Sequence, residues 1–155
     1  MSLQSVLADL KSRVGKEAKV GEWLTVDQKR INLFADATED HQWIHVDPER
    51  AKKESPFKDA IAHGFLTLSL LPALGREVQG GGVAYPGVKL GVNYGLNKVR
   101  FPSPVKVNSR VRAKSVLKEV TEVEGGLQMV REVTVEIEGQ PKPACVAETV
   151  SRLYF

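Results

Sequence analysis

All three histidines of this 155-residue chain, His41, His45 and His63, fall in one stretch, ADATEDHQWIHVDPERAKKESPFKDAIAHG, residues 35–64. Seven of the nineteen acidic residues lie there too. Imidazole is the side chain whose ordinary pKa lies nearest neutrality, so histidines among carboxylates point to proton transfer or metal binding. Asp40 and His45 are five residues apart, beyond the end of a helical pattern, where a loop can turn both toward one water. Such a pair polarises the water and returns a proton elsewhere. The same spacing is met by an aspartate bonded to local backbone and a half-buried histidine, so the pair alone decides nothing.

His41 and His45 also have the i, i+4 spacing of a helical zinc pair, with Asp47 and His63 as further donors. Against this, HQWIH carries Gln42 and Trp43 where an H-E-x-x-H helix carries its glutamate base and a spacer. Pro48 and its turn-like surroundings oppose a helix holding both histidines. The expectation is therefore no metal and no cofactor. The third feature is Ala62–His63–Gly64, directly before an apolar helix. Unpaired N–H groups at a helix start, with the positive end of its dipole, suit an anion or a developing oxyanion. Glycine lets a ligand approach the backbone. A tight turn with His63 satisfied in the core is the equal alternative.

These residues need elements to position them. Leu3, Val6, Leu7 and Leu10 recur at helical spacing and predict a helix over residues 2–13, stopped by Gly15. A short strand is expected at residues 19–24. TVDQKRINLFADATED reads as an amphipathic helix capped by Thr25 or Asp27, with Ile31, Phe34 and Ala35 inward. A short helix follows Pro48. Residues 64–75 are apolar or glycine except at Thr67, Ser69 and Pro72, which predicts a buried helix that Pro72 kinks or shortens. QGGGVAYPG is a glycine-rich loop. Beyond it the pattern is strand-like, VKLGVNYG continuing into LNKVRF. Three long strands follow, with turn signals at residues 124–126 and 139–143. The order suggests an antiparallel meander wrapped around one helix. Strands of this length leave edges that need covering, which favours a homodimer.

Length fits one domain, residues 1–155. With 22 basic and 19 acidic residues the net charge is +3, too slight and too mixed to argue for nucleic acid. No stretch approaches the roughly 20 apolar residues of a membrane span. The single cysteine, Cys145, permits no internal disulfide and sits in an alternating run as a buried residue. With no signal-peptide pattern at the N-terminus, a cytoplasmic location is expected.

FADATEDHQWIHVDPERAKKESPFKDAIAHGFLTLSL resembles the signature of the MaoC-like dehydratases, the (R)-specific enoyl-CoA hydratases of the hotdog fold, and within them the NodN-like branch. The matching residues are Phe34–Ala35, Asp40, His45, Asp47 and Ala62–His63–Gly64. Further on, Arg100, Phe101, Pro104 and Val105 match the family's RF..PV segment, so the resemblance spans residues 22–155. It implies an α+β hotdog fold, an antiparallel sheet wrapped around a long buried helix. It also implies reversible syn hydration of a trans-2-enoyl-CoA to the (R)-3-hydroxyacyl-CoA, in fatty-acid or polyhydroxyalkanoate metabolism. In that family pattern Asp40 and His45 activate the water and the Gly64 amide polarises the thioester carbonyl. Two departures stand out. DHQWIH replaces the family's D-x-N-P-[IL]-H turn, so Trp43 is expected to alter how the loop lines the acyl tunnel. Asn108–Ser109 replace a Gly-Asp pair.

Substrate contacts are expected from Trp43, Phe57, His63, Phe65 and Arg100. Leu66 and Leu68 are further lining candidates, and Lys89, Lys98, Lys106 and Arg110 are further cations for the CoA phosphates. His41 is incidental. Two alternatives remain. A hotdog acyl-CoA thioesterase is disfavoured because residues 65–74 carry no Asp, Glu or His. A non-catalytic acyl-thioester-binding module has no need of a water-activating pair.

Overall fold

The structure, a computed structural model, describes residues 2–18, 20–75 and 85–155. Most of the glycine-rich loop, residues 79–84, lies outside them. Helix α1, Leu3–Arg13, starts where the Ser2 hydroxyl accepts the Ser5 N–H at 3.3 Å, and it buries Val6, Leu7 and Leu10. Gly15, at φ 79°, ends it as expected. Strand β1 is only Leu24–Val26. Helix α2, Gln28–Thr38, is capped by Asp27, whose carboxylate accepts the Arg30 N–H at 2.8 Å. Two short helices follow, α3 at Trp43–Val46 and α4 at Pro48–Glu54.

The helix expected at residues 64–75 is divided into α5, Gly64–Ser69, and α6, Leu71–Leu74, joined at Leu70. Pro72 is the reason: it brings no N–H to the turn before it. Burial is one-sided, correcting the expectation of a helix enclosed all round. Leu66, Leu70 and Leu74 face inward, while Phe65 is 69% exposed. No described helix is long and apolar enough to cross a membrane.

Strands β2 (Leu90–Arg100), β3 (Ser109–Val123), β4 (Gly126–Ile137) and β5 (Cys145–Tyr154) complete one five-stranded antiparallel sheet in the order β1-β3-β4-β5-β2. β3, β4 and β5 form the expected meander. β2 departs from it: although it precedes β3, it crosses to the far edge and pairs with β5. The strand expected at residues 19–24 is also corrected. Gly15, Ala18 and Gly21 donate to the carbonyls of Leu117, Ser115 and Ala113, so this segment advances three residues for every two on β3. That mismatch leaves side chains out of register with a pleated ladder, and regular pairing begins only at Leu24. Register shifts in the β2–β5 and β3–β4 pairs bend the sheet around α5 and α6.

The concave face holds two apolar clusters. Leu66, Leu70 and Leu74 pack on Val111, Ala113, Val133, Val135, Cys145 and Ala147. Val6, Leu7 and Leu10 of α1 pack on Leu117, Leu127, Met129 and Leu153. The connection from β2 to β3 does the remaining positional work. Ala62 N–H donates to Val105 O and Val107 N–H to Ala60 O, clamping the segment that leads into α5.

Candidate active site

Helix α2 is closed by Glu39, the residue after Thr38, whose left-handed backbone (φ 62°) turns the chain so that Asp40 faces the residue before α5. In place of an Asn-Pro turn, the chain makes one turn of helix. Gln42 N–H approaches Asp40 Oδ1 at 3.4 Å and His45 N–H donates to Gln42 O at 2.9 Å. Gln28 of α2 donates from Nε2 to His45 O at 2.7 Å, tying α3 to α2.

His45 is buried, and its Nδ1 lies 2.6 Å from the carbonyl oxygen of Ile61. A carbonyl only accepts, so Nδ1 carries the hydrogen and Nε2 of the neutral ring holds a lone pair. Burial is the main force lowering the His45 pKa below 6.5; the Ile61 bond and the Asp40 carboxylate oppose it, and His63 adds to the lowering. At neutral pH the ring is therefore uncharged, with Nε2 ready to accept a proton.

His63, only 2% exposed, lies beneath this ring. The two imidazoles stack with centroids 3.9 Å apart and planes at 25°, and Phe34 packs on the His63 ring at 4.9 Å. His63 Nε2–H donates to the backbone carbonyl of Asp40 at 2.9 Å and lies 4.0 Å from its carboxylate. His63 thus braces both Asp40 and His45 and presents almost no surface to a ligand. The Asp40 side chain is half exposed. Asp40, His45 and His63 each offer a ligand atom within 4.8 Å of the others, the one convergence of this kind among the described residues. His41 is elsewhere, paired with Asp36 at 2.9 Å, and Asp47 caps α4 by accepting the Arg50 N–H at 3.0 Å.

Gly64 is the first residue of α5. Leu66 and Thr67 N–H groups donate to His63 O, leaving those of Gly64 and Phe65 without a backbone partner among the described residues. A Cβ at Gly64 would stand 3.0 Å from Cδ2 of Phe101, so glycine lets the Phe101 ring lie closer than it could beside an alanine. Phe101 in turn meets Phe65 edge-on at 6.2 Å. Asp40, His45 and His63 are thus brought together from the segment after α2, from α3 and from the residue before α5, and Gly64 follows His63 in the chain.

The other candidates are more dispersed. The Trp43 ring lies 4.3 Å under the Arg50 guanidinium and Phe57 is half-buried. Arg100, Lys89, Lys98 and Lys106 are exposed. Arg110 is engaged by Glu138 through two hydrogen bonds, one of 2.6 Å, which leaves it poorly placed for phosphate. The sequence reading missed the Ile61 carbonyl and Gln28. A backbone oxygen leaves no mark in residue types, and a glutamine on a helix face carries no signal of a partner 17 residues away. A cavity of about 770 Å³ opens further along α5 and α6; its walls include Leu71, Met129 and, of the candidates named from the sequence, Leu68 alone.

The MaoC like domain matches residues 9–139. "3-hydroxyacyl-thioester dehydratase Z" of Mycobacterium tuberculosis is 54% identical over 147 residues, 94% of either chain. "Nodulation protein N" of Rhizobium leguminosarum bv. viciae is 51% identical over 154 residues, covering 96% of this chain and 91% of that one. Among solved structures, the unliganded R-hydratase PhaJ1 of Pseudomonas aeruginosa superposes with a TM-score of 0.66 at 23% identity, over 89% of this chain and 79% of that one. The likeness to that structure establishes the hotdog fold.

Proposed function

The chain belongs to the MaoC-like dehydratase family, and from that premise we propose that it catalyses reversible syn hydration of trans-2-enoyl-CoA to (R)-3-hydroxyacyl-CoA. The observation that carries this reading is the tautomer of His45, an uncharged ring whose Nε2 is left unprotonated by the Ile61 bond, with a ring nitrogen within 4.8 Å of an Asp40 carboxylate oxygen. Asp40 accepts one hydrogen bond from the water and His45 Nε2 the other. As the water oxygen attacks C3, its proton passes to Nε2 and the C2=C3 electron pair moves toward the thioester carbonyl. The Gly64 N–H holds the oxygen on which that charge gathers. The proton then returns from the pair to C2 on the same face, so one water has added and the residues are restored. His63 is a positioning residue in this scheme. Phe65 and Phe101 flank the thioester, and Phe57, Trp43 and Arg100 approach the substrate beyond it. No step needs a cofactor.

Two copies pair through β2 in this reading. β2 is an edge strand with one neighbour among the described residues, and it exposes Leu90, Tyr94 and Leu96. Long apolar edges need covering. A Leu96→Asp variant should sediment as a monomer where the unaltered protein sediments as a dimer.

The test of the reaction is loss of enoyl-thioester absorbance with crotonyl-CoA and then trans-2-octenoyl-CoA, followed by chiral analysis of the product. (R)-product formed at an unchanged rate in chelator supports the proposal. Loss of activity in chelator, restored by a divalent metal, would replace it with metal-assisted chemistry on the Asp40–His45–His63 trio. Free thiol without hydration would indicate a thioesterase, and binding without either signal a non-catalytic module.

A further inference from the structure

The inward-facing row of β4 reads Leu127, Met129, Arg131, Val133, Val135, Ile137, one cation in an apolar series. Its neighbours repeat the interruption. On β5, Thr149 stands opposite Arg131 and Ser151 opposite Met129; on β3, Ser115 lies between Ala113 and Leu117 on the same face. A polar band thus crosses three adjacent strands between the two apolar clusters, and it forms part of the wall of the 770 Å³ cavity. Arg131 is more than half buried. It has no acidic partner among the described residues, and its Nε and the Ser115 hydroxyl oxygen are both buried without a hydrogen-bond partner. Burial lowers the Arg131 pKa, Arg13 adds to that, and only Tyr85 opposes it. An arginine keeps its charge, and a largely buried cation that no described residue pairs is costly to the fold. Every other inward position of β4 shows that an apolar side chain would serve packing.

Geometry says what the cation is for. α5 starts at the proposed thioester site, Gly64, and its later residues, Leu68 and Ser69, line the cavity together with Leu71 and Pro72 of α6. At 1.5 Å per residue this displacement is roughly 6–12 Å along the axis, the reach of a medium-length acyl chain. Apolar walls with a few converging polar groups are the usual make-up of a specific small-molecule site.

We propose that the cavity receives the far end of the acyl chain and that this end is a carboxylate, bound by the Arg131 guanidinium with the Ser115 hydroxyl as second donor. The inference rests on the acyl-thioester reading above and adds a substrate class to it: monothioesters of medium-length dicarboxylic acids. Arginine suits the group because its fork of N–H donors matches both carboxylate oxygens.

The experiment compares equilibrium binding of suberoyl-CoA, eight carbons ending in carboxylate, with octanoyl-CoA, eight carbons ending in methyl. The unaltered protein, Arg131→Met and Arg131→Lys are titrated with each, and a thermal melt checks that each variant is folded. The unaltered protein is expected to bind suberoyl-CoA tighter by on the order of 10- to 100-fold, the range of a hydrogen-bonded charge pair. Arg131→Met should reverse the preference, and Arg131→Lys should retain part of it. Equal or weaker binding of suberoyl-CoA by the unaltered protein, or a preference that survives in the Met variant, would overturn the proposal. Crotonyl-CoA, too short to reach the cavity, separates the two readings. Hydration of crotonyl-CoA without a suberoyl preference sinks the carboxylate inference alone. An Arg131-dependent preference without hydration upholds the inference and sinks the hydratase.

Discussion

Replacing His45 with Asn separates the two nitrogens of the ring. The Asn amide Nδ2 takes the place of Nδ1 and still donates to Ile61 O, the buried 2.6 Å bond, but nothing replaces Nε2. Replacing His45 with Ala removes both. Both variants lose the stacking on His63, so their difference isolates the Ile61 bond: stranding that buried oxygen costs about 1–3 kcal/mol. For a domain of this size that is a Tm about 2–12 °C lower for the Ala variant than for the Asn variant. Activity should divide differently. General acid–base catalysis contributes roughly 10²- to 10⁴-fold, so kcat should fall by that factor in both, a barrier higher by about 2.7–5.4 kcal/mol. The pH dependence has a definite sign. Because burial lowers the His45 pKa, the native state binds fewer protons than the unfolded chain between that lowered value and 6.5. Stability is therefore whole above 6.5 and declines as pH falls through this window, and kcat/KM declines on its acid side for the same reason. In the Asn variant the stability slope through this window should flatten. The assays are hydration of crotonyl-CoA across pH and urea unfolding at pH 7.5 and 5.5. An Asn variant within tenfold of the unaltered kcat, or a wild-type acid limb centred above 6.5, would refute the reasoning.

Three further outcomes follow from contacts already described. Gly64→Ala puts a Cβ 3.0 Å from an exposed Phe101 ring that is free to pivot, so stability should change by less than about 1 kcal/mol. The displaced ring and the new methyl crowd the amide, so kcat should fall by about 10²- to 10³-fold, the usual effect of losing one oxyanion donor; an unchanged kcat would remove Gly64 from the mechanism. Gly126→Ala is the reverse case, because its Cβ would lie 2.0 Å from the backbone oxygen of Leu153, which cannot swing aside. Urea unfolding should show a loss of about 3 kcal/mol or more, with any surviving fold less compact at the β3–β4 hairpin. Cys145 is wholly buried and its thiol is pushed up to about 11, so iodoacetamide at pH 8 should label it only when the protein unfolds; fast labelling of the native protein would contradict its place in the core.

What the sequence discloses and what it hides divide along the range of the interactions. Asp27 as a cap, Gly15 as a stop and the tight turn at Gly125 (φ 74°) are decided within a few residues, and local pattern finds them. The crossing of β2 to the far edge is decided by its pairing with β5, partners 46 to 64 residues on, and alternation in LGVNYGLNKVR says only that a strand exists. The divided helix was half legible. Pro72 announces a break, but which flank of an apolar helix meets solvent depends on what covers it, so Phe65 could not be placed from composition.

The candidate site shows the same division, and it explains how the chain departs from its family's turn without losing the site. Asp40 and His45 stand out by type, yet their alignment is imposed from outside the loop. Gln28 holds the carbonyl of His45, Ile61 orients its ring and His63 anchors the backbone of Asp40, contacts spanning 16 to 23 residues. With three such anchors, an Asn-Pro turn between Asp40 and His45 is dispensable. One helical turn beginning at Trp43 serves in its place, and the Trp43 ring lies beneath the Arg50 guanidinium. His63 is therefore the residue whose role the sequence understates most. It reads as a companion of the Gly64 amide, whereas in the folded chain it is the platform on which the other two groups are set. Exchanging it should disturb Asp40 and His45 together, where exchanging Gln28 should disturb His45 alone.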